Sequence, residues 1–169
     1  IDIPTLCYLK MDDLAYNNRQ ASCRICVVEV EGRKNLAPAC ATPVTDGMAV
    51  LTHTVRVLNA RKTVLELMLS DHPKDCLACA KSGECELQRL AERFAVREAR
   101  YSGAMSTYRK DTSPAIIRDM DKCIMCRRCE TMCNEVQTCG VLSGINRGFN
   151  AVVAPAFEMN LWIPPAPSA

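Results

Sequence analysis

Apolar positions in the first fifty residues come in short bursts without helical period. The stretch "CRICVVEVEGR", residues 23–33, runs β-branched residues into Gly32, and "TDGMAVLT", residues 45–52, sets an Asp-Gly pair before another burst. Both read as short strands bounded by turns. At residue 54 the pattern changes. "TVRVLNARKTVLELML", residues 54–69, has helical period, with Leu58, Leu65 and Met68 or Leu69 on one face. Ser70 to Pro73 stops this helix, because proline cannot continue the hydrogen-bond ladder. A second helix is predicted over 84–99, "ECELQRLAERFAVREA", with Leu87, Leu90 and Phe94 inward. Residues 100–120 read as a polar connection, and "NLWIPPAPSA" from Asn160 as a Pro-rich linker or frayed tail.

Composition sharpens this picture. Of 169 residues 49% are hydrophobic but only 5% aromatic, a thin supply for a purely apolar core. Domains in that position are usually stapled by disulfides or metals. A net charge of +2 gives no support for nucleic-acid or membrane-surface binding. No run of 18 apolar residues offers a membrane span. The chain opens on Ile1 with neither Met nor a signal peptide, so a processed or cut N-terminus in a cytoplasmic setting is expected. There, 12 cysteines point to metal ligation more than to disulfides. Neither a Walker A motif nor G-x-G-x-x-G is present, so no phosphate or dinucleotide site is expected.

The cysteines fall into three sets. Cys7, Cys23, Cys26 and Cys40 have the spacing C-x15-C-x2-C-x13-C. Two thiols on one tight loop and two from flanking segments suit a 2Fe–2S cluster, which takes two thiolates per iron. A zinc site or buried structural thiols are the alternatives. The second set, His72, Cys76, Cys79 and Cys85, lies in "DHPKDCLACAKSGECELQ" and offers one imidazole and three thiolates. Local chemistry leaves structural zinc open. The crowding of all four donors into one loop favours a 4Fe–4S cluster, because zinc modules pair two knuckles across a dozen or more residues. Pro73 biases His72 toward extended backbone. An imidazole in place of a thiolate makes a cluster less negative and raises its potential, as in Rieske centres. His53 has no nearby thiol and is expected to be an exposed strand-end histidine.

The third set, "DKCIMCRRCETMC", spaces Cys123, Cys126, Cys129 and Cys133 as C-x2-C-x2-C-x3-C, the strongest signal in the chain. Three thiols at this spacing wrap one face of a 4Fe–4S cubane, and the fourth of such a run serves a neighbouring cluster in two-cluster ferredoxins. Lys122, Arg127 and Arg128 flank the set, either favouring a reduced cluster or standing as solvated surface cations. Cys139 is left over and expected to be a small buried hydrophobe.

In this order the sets resemble the N-terminal part of the large iron–sulfur subunits of respiratory complex I and of FeFe-hydrogenases. The phrases "IPTLCY", "CRICVVEVEG", "LAPACATPV", "HPKDCLACAKSGECELQ" and "CNEVQTCGVLSGINRGFNAVVAPAF" carry the likeness over residues 1 to about 160. The last two tilt it toward the catalytic subunit of NAD(P)-linked FeFe-hydrogenases. The resemblance implies an α+β fold with a truncated β-grasp 2Fe–2S ferredoxin-like domain over 1–53. A small helical His-ligated 4Fe–4S segment over 54–100, a ferredoxin-like 4Fe–4S segment over 101–160 and a tail over 161–169 would follow. It implies an electron-transfer arm that works with flavin- and NAD(P)-binding subunits and small iron–sulfur subunits.

Three departures from the family bear on this. Only six residues precede Cys7, so the family's opening hairpin is expected to be missing. A second C-x2-C-x2-C-x3-C run, which would complete the Cys123 cluster and take Cys133 for its own, does not follow. The hydrogen-activating domain is expected to be missing from this stretch as well. Without that second run, Cys133 or Cys139 would have to close the last cubane, or the cluster stays incomplete. An equivalent arm of complex I or formate dehydrogenase is the runner-up, a zinc-stapled binding module is the alternative of another class, and a fragment unable to fill all its sites is the third possibility.

Overall fold

The computed structural model describes residues 1–11, 21–105, 107, 111–113, 116–158 and 161. The expected tail from 162 onward lies outside the described residues, as does part of the 100–120 connection. Strands β1 (Val27–Val30), β2 (Ala37–Pro38) and β3 (Val50–Leu51) form an antiparallel sheet in the order β2-β1-β3. Val27 pairs with Pro38 and Glu29 with Leu51. The turns between them rest on Gly32 and Gly47, whose φ values of 79° and 75° are cheap only for glycine.

Helix α1 (Val55–Ser70) lies against this sheet. Thr54 caps it: its hydroxyl accepts from Val57 N at 3.2 Å and donates to Glu29 Oε2 at 2.7 Å, tying the helix start to β1. Thr54→Ala therefore removes a cap and a cross-link together. A loss of about 1–2 kcal/mol is expected, seen in thermal unfolding as a fall of roughly 2–8 °C; an unchanged midpoint would show the cap to be idle. The buried face of α1 includes Leu65, with Met68 and Leu69 packed on the core as expected, but not Leu58. Val57, Arg61 and Leu65 are buried, whereas Leu58 is 37% exposed. The sheet meets the helix along the i, i+4 row starting at Val57, which the Leu58 register misses by one residue.

Helix α2 (Glu86–Arg93) is shorter than the predicted 84–99. Leu87 and Leu90 are buried as expected, and Phe94 packs against the same core. Ala95 then turns left-handed at φ 49°, and Val96 N donates to Ala91 O at 2.8 Å. This closes the helix end and folds Val96 into the core, the hydrophobic closure of a left-handed C-terminus without the usual glycine. The core gathers Leu6, Cys7, Cys23 and Ile25 from the N-terminal segment with Leu65, Leu87, Leu90 and Val96.

The remainder is built of small pieces. A two-stranded ladder joins β4 (Asp111–Thr112) to β5 (Ile117–Arg118) within the expected connection, and another joins β6 (Ser143–Ile145) to β7 (Val152–Ala154). Between them stands α3 (Arg128–Thr131), continued by a wider turn over Met132–Val136. The architecture is a small mixed α+β fold. Among the described residues no helix is long and apolar enough to cross a membrane.

Candidate metal centres

Four thiols of the first set meet at the edge of the core. Cys7, Cys23 and Cys26 are buried and Cys40 half-buried. The Cys7 amide donates to Cys23 Sγ at 3.4 Å. The Cys23 thiol's hydrogen bond lowers Cys7 to about 7, although burial opposes this, and the same bond together with burial drives Cys23 well up. Burial first, and a hydrogen bond shared with Cys26 second, push Cys40 up to about 11. The sulfurs thus face one another as two pairs, Cys7 with Cys23 and Cys26 with Cys40. Between Cys23 and Cys26 the chain turns left-handed at Arg24, φ 59°. Such a conformation is costly for a side-chain-bearing residue and clusters at functional loops.

Expected donors of the second set are also brought together. His72, Cys76, Cys79 and Cys85 line one small cavity past the end of α1, with Lys122 and Asp75 at its wall. The Nδ1 atom of His72 is buried without a hydrogen-bond partner. Burial lowers its pKa most; Asp75 opposes that and Lys122 reinforces it, so the imidazole is neutral at pH 7. A neutral ring with an orphaned nitrogen beside three thiols is a donor set short of its acceptor. The residues present therefore fit a bound metal group.

In the third set Cys123, Cys126 and Cys129 share one loop. Its bends come from left-handed Met125 and Arg127, at φ 51° and 57°, so the amide of Met125 reaches Cys123 Sγ at 3.4 Å. Burial raises Cys123 and Cys129, and neighbouring Cys126 raises both further. Cys123 and Cys126 are half-buried and Cys129 is exposed at the rim; mutual destabilisation of close thiols is what a cationic iron core relieves. Cys133 lies on the far side of Cys129, lining a second cavity with Cys129, Met132, Gln137 and Cys139. Cys139 is exposed, contrary to the buried thiol expected: Thr138 turns left-handed and Cys139 N donates to Cys133 O at 2.9 Å, lifting the side chain outward. His53 is exposed at the end of β3 as expected, with Thr52 Oγ1 2.7 Å from its Nδ1. Among the described residues no three His, Cys, Asp or Glu side chains close to the spacing of a single bound ion.

The flanking cations prove to be connectors. Arg128 Nε donates to Leu6 O at 2.8 Å, next to Cys7. Lys122 pairs with Asp75 at 3.3 Å, next to Cys76. Arg127 holds Glu130 through Nη2 at 2.6 Å and lies so close to Gly144 that a Cβ there would stand 2.8 Å from its guanidinium. The Glu130 hydrogen bonds raise the Arg127 pKa most, and Cys7 and Cys129 add to the rise. Cys23 and Cys123 also line a single cavity of about 430 Å³. The segment carrying the third set is therefore fastened to residues next to both of the others.

Two residues escaped the sequence reading. Arg61 and Gly103 both act at the centres' supports. Arg61 was signalled by a charge in the middle of an apolar i, i+4 row; Gly103 carries no local signal, since what it meets is distant backbone.

The chain is similar to known iron–sulfur proteins. Residues 1–55 match the 2Fe-2S iron-sulfur cluster binding domain, and residues 61–100 match the NADH-ubiquinone oxidoreductase-G iron-sulfur binding region. Over 162 residues the chain is 78% identical to the NADP-reducing hydrogenase subunit HndD of Solidesulfovibrio fructosivorans, covering 95% of this chain and 28% of that one. It is 41% identical over 165 residues to an NADH-quinone oxidoreductase subunit of Rhizobium meliloti, covering 95% and 18%. A solved structure of an NAD+-reducing NiFe-hydrogenase in the H2-reduced state superposes with a TM-score of 0.79 at 28% identity, over 92% of this chain and 63% of that one. The chain thus spans less than a third of the length of these two curated relatives.

Proposed function

We propose that this chain, an iron–sulfur region of the family shared by NAD(P)-reducing hydrogenases and NADH-quinone oxidoreductases, relays single electrons through three bound clusters. Cys7, Cys23, Cys26 and Cys40 would hold a 2Fe–2S cluster in a β-grasp-like domain over 1–53. His72, Cys76, Cys79 and Cys85 would hold a 4Fe–4S cluster over 54–100. Cys123, Cys126 and Cys129 would hold another over 101–160, with Cys133 or Cys139 as the fourth thiolate if the run closes its own cubane.

When bound, such clusters supply one-electron chemistry, and the protein sets binding, spacing and potential. The chain's own residues do the rest. Backbone amides of Cys7 and Met125 donate to sulfur and stabilise thiolate charge. The apolar core around Leu6, Ile25, Leu87 and Leu90 keeps water from the first centre. Arg128 and Lys122 pin the third loop to the first and second, so that loop is the junction of the relay. The observation that carries this reading is the cavity lined by both Cys23 and Cys123, which sets one ligand of the first centre and one of the third against the same space.

The 78% identity to a hydrogenase subunit, against 41% to the quinone oxidoreductase subunit, favours a hydrogenase setting. There the arm would pass electrons between a flavin- or nicotinamide-binding partner and a hydrogen-activating domain. A chain whose cysteines serve mainly as metal ligands suits a reducing, cytoplasmic compartment. EPR relaxation tests the relay. Reducing the third centre should speed relaxation of the reduced 2Fe–2S spin in the intact protein and not in Cys126→Ala. Identical relaxation in both proteins would refute the junction.

A further inference from the structure

Among the described residues Arg61 is the largest fully buried side chain, 1% exposed in the middle of α1. Its Nε and Nη2 both donate to Val27 O, at 3.2 and 2.8 Å, the carbonyl directly after Cys26. Among the described residues these are its hydrogen bonds, and no carboxylate pairs with it. Asp2 also favours the Arg61 charge but is itself paired with Arg93 at 2.7 Å. A buried charge without an opposite one is costly, and a guanidinium does not escape by releasing its proton. Something at this corner of the fold must offset it. Burial opposes the Arg61 charge most and Arg93 adds to that, whereas Cys26 of the first thiol set favours it, ahead of Asp2.

We propose that Arg61 is a positioning residue that sets the reduction potential of the 2Fe–2S centre, its buried guanidinium acting as a fixed counter-charge behind Cys26. The inference rests on the assignment of that centre to Cys7, Cys23, Cys26 and Cys40. Four thiolates around two irons leave the oxidised centre anionic, and one added electron makes it more so. A cation in low dielectric stabilises the reduced form more than the oxidised form, which raises the potential. The bidentate grip on Val27 O holds the charge and the Cys26 loop in one geometry.

The test is an EPR-monitored redox titration of the reconstituted full chain. In Arg61→Met, at the wild-type midpoint, the ratio of reduced to oxidised 2Fe–2S should fall about tenfold, a midpoint lower by about 59 mV. Arg61→Lys keeps the charge and should stay within about twofold of wild type. A loaded Arg61→Met with an unmoved midpoint overturns the proposal, and so does a loaded Arg61→Lys shifted as far as Arg61→Met. If Arg61→Met does not load, a loaded Arg61→Lys at the wild-type midpoint upholds the charge requirement, whereas failure of both to load makes Arg61 a structural support only. A wild-type chain without any 2Fe–2S signal would instead sink the cluster assignment itself.

Discussion

Gly103→Ala should unfold the second centre's support and cost the protein about 2–4 kcal/mol. A Cβ at this position would stand 2.4 Å from Ser70 O, 2.6 Å from Ser70 C and 2.7 Å from the Asp71 Cα. Every one of these atoms is backbone, so no side-chain rotation relieves the clash. The segment must move away from the end of α1. Doing so breaks the Gly103 N–Ser70 O bond of 3.2 Å and strains the neighbouring bond from Met105 N to Asp71 Oδ1 at 2.7 Å. Those two bonds fasten residues 103–105 to the turn that carries His72. Thermal unfolding should fall by roughly 4–16 °C, and iron loading at the His72 set should drop with it. Gly83→Ala provides the contrast: φ is +85° but nothing lies within 4 Å of the new methyl, so only the left-handed strain of about 1–2 kcal/mol applies. A Gly103→Ala protein as stable as wild type would show that the 103–105 segment does not pack on α1 as described.

The second large effect concerns His72. Removing the ring in His72→Ala takes one of four donors from a cavity whose other walls are Cys76, Cys79 and Cys85. Loss of about four irons per chain is expected, with the 2Fe–2S EPR signal retained. His72→Cys should behave differently. It restores four donors but replaces a neutral imidazole by an anionic thiolate, so the cluster loads and its midpoint falls by on the order of 100 mV. The direction follows from ligand charge: the substitution exchanges a neutral imidazole for a thiolate and so adds a full negative charge at that site. Full iron and an unchanged potential in both variants would remove His72 from the ligand set.

What was legible in the sequence followed from local chemistry. Gly32 and Gly47 marked the turns of the sheet, and Pro73 marked the end of α1, because each acts through its own backbone. The thiol spacings were equally local, and the structure brings the His72 set to one cavity. The misreadings arose where distant parts decide. Leu58 against Val57 as the inward residue depends on where the sheet touches the helix. The early stop of α2 depends on Val96 finding the core, with Ala95 accepting a left-handed turn that glycine would have announced. Cys139 was placed inside on residue type alone, and the bend at Thr138 turns it out. For Arg128 and Lys122 the sequence left open a role beside the cluster or a solvated surface position; their acceptors, Leu6 O and Asp75, lie 122 and 47 residues away, beyond any local pattern.

The central claim is that these donor sets hold iron–sulfur clusters. Iron, zinc and acid-labile sulfide per chain, measured on anaerobically reconstituted protein with EPR of the reduced sample, test it most directly. The account predicts iron matched by sulfide, about six of each for the first two sets and about ten once the third is filled, with a 2Fe–2S signal among them. Zinc bound without sulfide would contradict it.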